Sequence, residues 1–226
     1  MAGQGVKYTV DIVMCIDSTG SMGSLINTVK ASALRFHDDL LRKLAEKDKN
    51  VDLLRVKVIS FRDYYHDGDK AMAVSPFFEL PKDTSSFNSF VEPLIADGGG
   101  DEPENGLEAL ALAIKSDWAK AGDKRRQIII VWTDASAHKL ELNDSSKPSN
   151  YPSDLPKNFD EITDWWEGQS YMNGSAKRLI LFAPDAYPWT DIATYWSNAP
   201  QYPSKAGAGL SEVDYSTILD TLVNSV

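Results

Sequence analysis

Cysteine is nearly absent: Cys15 is the only one in 226 residues. A single thiol forms no internal disulfide, and it excludes C-x-x-C motifs and Cys/His metal ribbons. It stands inside an apolar run, where a small buried hydrophobe is expected. This usage favours a reducing compartment, and a cytoplasmic location is expected. Long hydrophobic runs are missing too. Runs such as Ile128–Trp132 are short, whereas a membrane-spanning helix takes about 20 apolar residues. The opening MAGQGVKYTVDIVMCID lacks the basic segment, apolar stretch and small-residue cleavage site of a secretory leader. Positive charge is in short supply: 23 Lys and Arg stand against 33 Asp and Glu, a net −10. Such a surface repels phosphate backbones, so nucleic acid is not an expected partner; with no spanning run, a membrane is not expected either. Histidine is limited to three residues, without an H-E-x-x-H spacing, so a zinc hydrolase finds no support. P-loop, G-x-S-x-G and G-x-G-x-x-G patterns are also missing.

What is there suits one α/β domain over residues 1–226. A chain of this size buries about 70–75% of its unfolded surface and needs no disulfide to hold a core. Tyr8–Ile16 reads as a strand covered on both faces, because its residues are almost all apolar. A Gly/Ser turn, 17–23, leads into a helix from Ser24 to about Lys47 with an apolar stripe. Further strands are expected at Asp52–Phe61, Ala71–Leu80 (an edge), Gln127–Thr133 and Arg178–Ala183. Helices are expected at Thr84–Ile95, Asn105–Lys120, Phe159–Gly168, Thr190–Ser197 and from about Ser211 to Val226. The segments Arg62–Lys70 and Leu140–Lys157 read as polar loops. Alternating strands and helices predict a mostly parallel sheet with helices on both faces.

Three features carry chemistry. Asp17-Ser18-Thr19-Gly20-Ser21 follows the first strand. One carboxylate and two hydroxyls on alternate residues of a tight turn can converge, and they are hard oxygen ligands suited to Mg²⁺, Ca²⁺ or Mn²⁺ rather than zinc. Thr133-Asp134 ends the central strand, and ligands of open α/β sheets gather at the carboxyl ends of strands where the strand order reverses. The loop Gly98-Gly99-Gly100-Asp101-Glu102-Pro103-Glu104 has three glycines that allow a sharp turn toward the same crevice. Singly, an Asp at a strand end is more often a helix cap than a ligand. All three together, in order after strands or before a helix, predict one shared metal site.

These residues resemble the von Willebrand factor type A domain. D-x-T-G-S, the acidic glycine loop and the T-D pair match the motifs of its metal-ion-dependent adhesion site. Gly207-Ala208-Gly209-Leu210 is similar to the segment before the last helix of such domains. The resemblance runs from about residue 8 to 226. It implies a doubly wound, Rossmann-like α/β fold with a mostly parallel six-stranded sheet and one antiparallel edge strand. It implies Mg²⁺, with Ca²⁺ or Mn²⁺ as alternatives, held by Asp17, Thr19, Ser21, Asp101 and Asp134. Two departures stand out. Thr19 occupies a position that is usually Ser, and the loop ligand, usually Thr, is matched here by Asp101, with Glu104 as the alternative. Extra carboxylate tightens metal binding but leaves less positive charge for an acidic partner.

The function implied is a metal-dependent protein-binding or scaffolding module, not an enzyme. Intracellular relatives of this type work as subunits or adaptors of larger assemblies. The alternative is a Mg²⁺-dependent phosphatase-like hydrolase with Asp17 as nucleophile. Its usual general acid two residues on is replaced by Thr19, which does not serve as an acid at neutral pH. Elsewhere, His138 reads as a supporting loop histidine, His37 and His66 as solvated, and Arg62 with Asp63 as a surface ion pair. Trp165, Trp166, Trp189, Tyr195 and Trp196 read mainly as residues covering the sheet. Lys43–Lys49 and Asp123–Arg126 read as solvated faces.

Overall fold

Strand β1 (Lys7–Asp17) lies at the centre of the sheet, parallel to β2 (Asn50–Phe61) on one side and β5 (Lys124–Trp132) on the other. The computed structural model describes residues 7–100, 102–141, 147–168, 170–208, 210 and 214–226. Among them β3 (Met72–Val74) and β4 (Phe78–Leu80) pair antiparallel with β2, and β6 (Lys177–Pro184) and β7 (Gln201–Ser204) continue the parallel set. The order β3-β2-β1-β5-β6-β7, with β4 also on β2, is a doubly wound, mostly parallel α/β sheet. The chain leaves β1 toward β2 and later returns to β1's other edge as β5. That reversal opens a crevice at the carboxyl ends of β1 and β5.

Successive side chains of a strand point to opposite faces, and β1 shows it. Val10, Ile12, Met14 and Ile16 pack in one layer with α1 (Gly23–Ala45), α3 (Thr84–Val91) and α7 (Tyr215–Ser225). Val13 and Cys15 pack in the other with α4 (Gly106–Ile114), α5 (Phe159–Glu167) and α6 (Trp189–Tyr195). Both faces being covered explains the apolar run Ile12–Ile16 that the sequence shows there. The thiol of Cys15 is fully buried, and burial pushes its pKa well above the usual thiol range.

Local chemistry sets several boundaries. Asp63 caps α2 (Tyr64–Asp67) by accepting from Tyr65 N at 2.8 Å, so part of the expected 62–70 loop is a helical turn. Asn158 caps α5 and Asp214 caps α7, accepting from Glu161 N and Thr217 N. The last helix therefore starts at Tyr215; the expected start at Ser211 falls outside the described residues. Helix α4 stops at Ile114 rather than Lys120. Buried Asp11 accepts from Ala119 N at 2.6 Å and Trp118 turns into the core, which pulls that segment off the helix. The expected edge strand 71–80 is split at Ser75, whose hydroxyl accepts from Val58 N at 2.8 Å.

Candidate functional site

The turn after β1 is built around Asp17, which is fully buried. Its Oδ1 accepts from Thr19 N at 2.9 Å and from the Thr19 hydroxyl at 2.7 Å. Its Oδ2 accepts from the Thr133 hydroxyl at 2.7 Å, which ties the ends of β1 and β5 together. A short 3-10 turn, Gly20–Met22, then sets Ser21 across the crevice, where its Oγ donates to Asp134 Oδ1 at 2.9 Å. Asp17, Thr19, Ser21 and Asp134 thus occupy one place, although they come from two loops more than a hundred residues apart. Thr19 and Asp134 are buried and Ser21 is exposed.

The glycine loop closes over this turn. Asp97 N donates to Ser18 O at 3.0 Å, and Gly20 N to Gly98 O at 3.4 Å. Gly99 has φ +91°, and a Cβ there would lie 2.5 Å from Thr19 Cγ2 and 2.7 Å from Glu104 Oε1. Only a residue without a side chain permits that approach. Asp101 lies outside the described residues. Glu104 is described, and its carboxylate faces the crevice: it is 4% exposed, and its Oε2 has no hydrogen-bond partner.

Electrostatics single out the same spot. Burial pushes the Asp17 carboxyl up to about 6; hydrogen bonds from Thr19 and Thr133 resist the rise, and neighbouring Asp134 adds to it. Glu104 is pushed up to about 9, first by burial and then by Asp17, Asp63, Asp67 and Asp134. An orphaned buried carboxylate oxygen among like charges is costly unless a cation or proton compensates it. Among the described residues no group of three or more His, Cys, Asp or Glu is placed to hold a metal ion. The oxygen groups gathered here are a mixture: the carboxylates of Asp17 and Asp134 bonded to the hydroxyls of Thr19, Thr133 and Ser21, with Glu104 nearby.

A supporting layer holds these loops, and the sequence hid most of it. Arg62 and Asp63 are not a surface pair. Both are buried, and each has a separate job. Arg62 donates to Ser18 Oγ at 3.2 Å and Ile95 O at 2.9 Å, and lies 3.7 Å from Asp67. Asp67 in turn accepts from Gly99 N at 3.0 Å. Asp63 faces His138 at 3.4 Å and His66 at 3.7 Å, in an open cleft of about 350 Å³ with Tyr65, Glu102 and Pro103. His138 thus supports Asp63, and His66, half exposed, covers Gly100. His37 is largely buried beside Asp38, against the expectation that it is solvated. Trp166, Trp189 and Trp196 are core residues, and Trp189 Nε1 donates to Ala135 O at 2.9 Å, bracing the loop after β5; Tyr195 is exposed.

The comparisons with known proteins agree with this fold. The von Willebrand factor A domain family matches residues 11–148, more than half of the chain. Alpha-protein kinase vwkA of Dictyostelium discoideum is 27% identical over 158 residues, which is 69% of this chain and 23% of that protein. The chain therefore spans about a quarter of the curated relative it matches. Two crystal structures of the pilus adhesin SpaC from Lactobacillus rhamnosus GG share the fold. One aligns at TM-score 0.59 with 12% identity, covering 98% of this chain and 31% of SpaC. The other, an open conformation, aligns at 0.54 with 14% identity, covering 98% and 30%. No helix among the described residues is long and apolar enough to cross a membrane. By its family match, its sheet order and the loops gathered at the sheet's reversal point, the chain belongs to the von Willebrand factor A domain family.

Proposed function

We propose that this domain is a protein-binding module whose contact point is a Mg²⁺-class ion at the carboxyl edge of the sheet, working in the cytoplasm. Asp17, Thr19, Ser21 and Asp134 would hold the ion, with Glu104 as the loop ligand of the described chain. An ion bound there would supply a positive, Lewis-acidic point able to attract an acidic side chain of a partner. The observation that carries this reading is the buried Glu104 carboxylate, with an orphaned oxygen, beside Thr19 and near Asp17 and Asp134. The chain's own groups do the positioning: Thr133 orients Asp17, and the glycine loop seats Glu104 against Thr19. On a molecule of net charge −10, this is the point where an acidic partner would find attraction rather than repulsion. Binding rather than catalysis is supported by family membership and by the likeness to proteins described as adhesins. Ca²⁺ or Mn²⁺ suits the same oxygen donors.

The test has two parts. Calorimetric titration with Mg²⁺ reports whether the ion binds and whether Asp17→Ala removes it. Affinity capture with wild type and Asp17→Ala, with and without EDTA, then reports partners. Partners captured by wild type as well in EDTA as in Mg²⁺, and as well by Asp17→Ala, would overturn the proposal.

A further inference from the structure

The two basic runs that read as separate solvated faces, near 43–49 and 123–126, meet at the amino-terminal end of the sheet. This is the pole opposite the candidate metal site. Arg126 of β5 stands near Lys49 and Arg178; burial chiefly, and Arg126's like charge in addition, holds both of their pKa values below the usual range. None of Lys47, Lys49, Lys124, Arg125, Arg126 and Arg178 has an Asp or Glu carboxylate within ion-pairing distance among the described residues. Several point instead at main-chain oxygens. Lys49 donates to Val223 O at 3.1 Å, Arg125 to Lys120 O at 3.0 Å, Arg126 to Val226 O at 2.8 Å and Arg178 to Lys177 O at 2.6 Å.

The carboxyl end of α7 accounts for Lys49 and Arg126, because a helix attracts cations there. Lys124 lies over the Tyr8 ring at 5.6 Å, and Arg125 reaches Lys120 O; neither contact neutralises its charge. With Arg126, Asn173 and Ser175, the residues Lys124 and Arg125 line a cleft of about 290 Å³, where Asp123 is the sole acidic lining residue among those described. Three cations against one carboxylate leave the cleft with a charge of +2 (3 − 1). In a chain with ten excess negative charges, that local surplus calls for an anion. A carboxylate cancels one charge, whereas a phosphate monoester carries about −1.5 to −2 with three acceptor oxygens. Arginine's planar donors suit those oxygens in pairs. An extended polyanion is disfavoured, because the rest of the surface repels it.

We propose that the cleft formed by Lys124, Arg125 and Arg126 binds a phosphate-class dianion, independently of the metal edge. The test is calorimetry on the whole chain at low salt with EDTA present, using orthophosphate, pyrophosphate, a phosphoserine peptide and its serine counterpart. Saturable binding of pyrophosphate or the phosphopeptide is expected. Lys124→Gln with Arg125→Gln should weaken it by about tenfold or more, the scale of one lost charge-assisted bond. Asp123→Asn should tighten it, which keeps the test decisive should the double variant fold poorly. Preference for the phosphopeptide would assign the anion to a modified protein, and preference for pyrophosphate to a free phosphate compound; either supports the site. No saturable binding of any phosphate probe, binding indifferent to these substitutions, or tighter binding of a DNA duplex or phosphatidylserine vesicles would overturn it. Loss of Mg²⁺ binding in Asp17→Ala leaves these results unchanged, so this proposal and the metal proposal fail separately.

Discussion

Ser21 Oγ donates to Asp134 Oδ1 at 2.9 Å across 113 residues of sequence. This single bond joins the turn after β1 to the turn after β5 and defines the mouth of the crevice. Thr133 makes the matching bond on the buried side, from its hydroxyl to Asp17 Oδ2. Two adjacent residues of one strand end thus grip two residues of the other.

Thr133→Val keeps the shape and removes the hydroxyl that orients Asp17. Loss of such a partner typically weakens metal affinity by about 10–100-fold. The buried carboxylate oxygen it leaves costs about 1–3 kcal/mol of stability. Mg²⁺ calorimetry and denaturant melts measure the two effects. Affinity equal to wild type would show that Thr133 braces the fold alone.

Gly99→Ala should damage the site at one step. The new Cβ meets Thr19 and Glu104, and φ +91° is hostile to any side chain. A loss of about 1–3 kcal/mol is expected from the backbone strain alone, with weaker Mg²⁺ binding because Thr19 and Glu104 are pushed apart. A thermal melt and a Mg²⁺ titration on the same sample would check both.

Metal should stabilise the domain without being required for its fold. The core is apolar and extensive on both faces of the sheet, so EDTA leaves it folded. An ion at 100 times its dissociation constant adds about 2.7 kcal/mol. For a domain of this size that raises Tm by about 5–10 °C. A melting temperature that is the same in Mg²⁺ and in EDTA would contradict ion binding to the folded state.

Glu108 sets a pH dependence away from the ligands. It is fully buried on α4, its Oε1 accepts from Tyr151 at 2.6 Å, and burial pushes it up to about 7 from 4.5. Between those values the folded state holds a proton that the unfolded state releases. Stability is therefore full below about pH 4.5 and falls as pH rises toward 7, by about 3 kcal/mol for this group. Glu108→Gln should be the more stable protein at pH 8 and should lose this slope. Urea melts across pH 4–8 would show it, and parallel curves for the two proteins would refute it.

Much of the architecture was legible because burial writes itself into composition. Runs such as Ile12–Ile16 and Ile128–Trp132 are apolar on both faces only when helices cover both, and Asp17 and Asp134 stand where such strands end. Short edge elements were not legible: β7 is four residues and includes Pro203, and proline is tolerated at a sheet edge but gives no strand signal. Helix α4 ended early because Asp11, about a hundred residues distant, captured a backbone amide.

The amino-acid sequence by itself determined the apolar runs, the caps and the chemical identity of the oxygen donors, since each depends on residues near in the chain. Tertiary structure alone decided which donors share a place. It brought Glu104 against Thr19, turned Arg62 and Asp63 inward, and gathered Lys49, Arg126 and Arg178 at the far pole. Those outcomes follow from strand order and from burial, and no local pattern encodes the distance between residues that only the closed sheet makes neighbours.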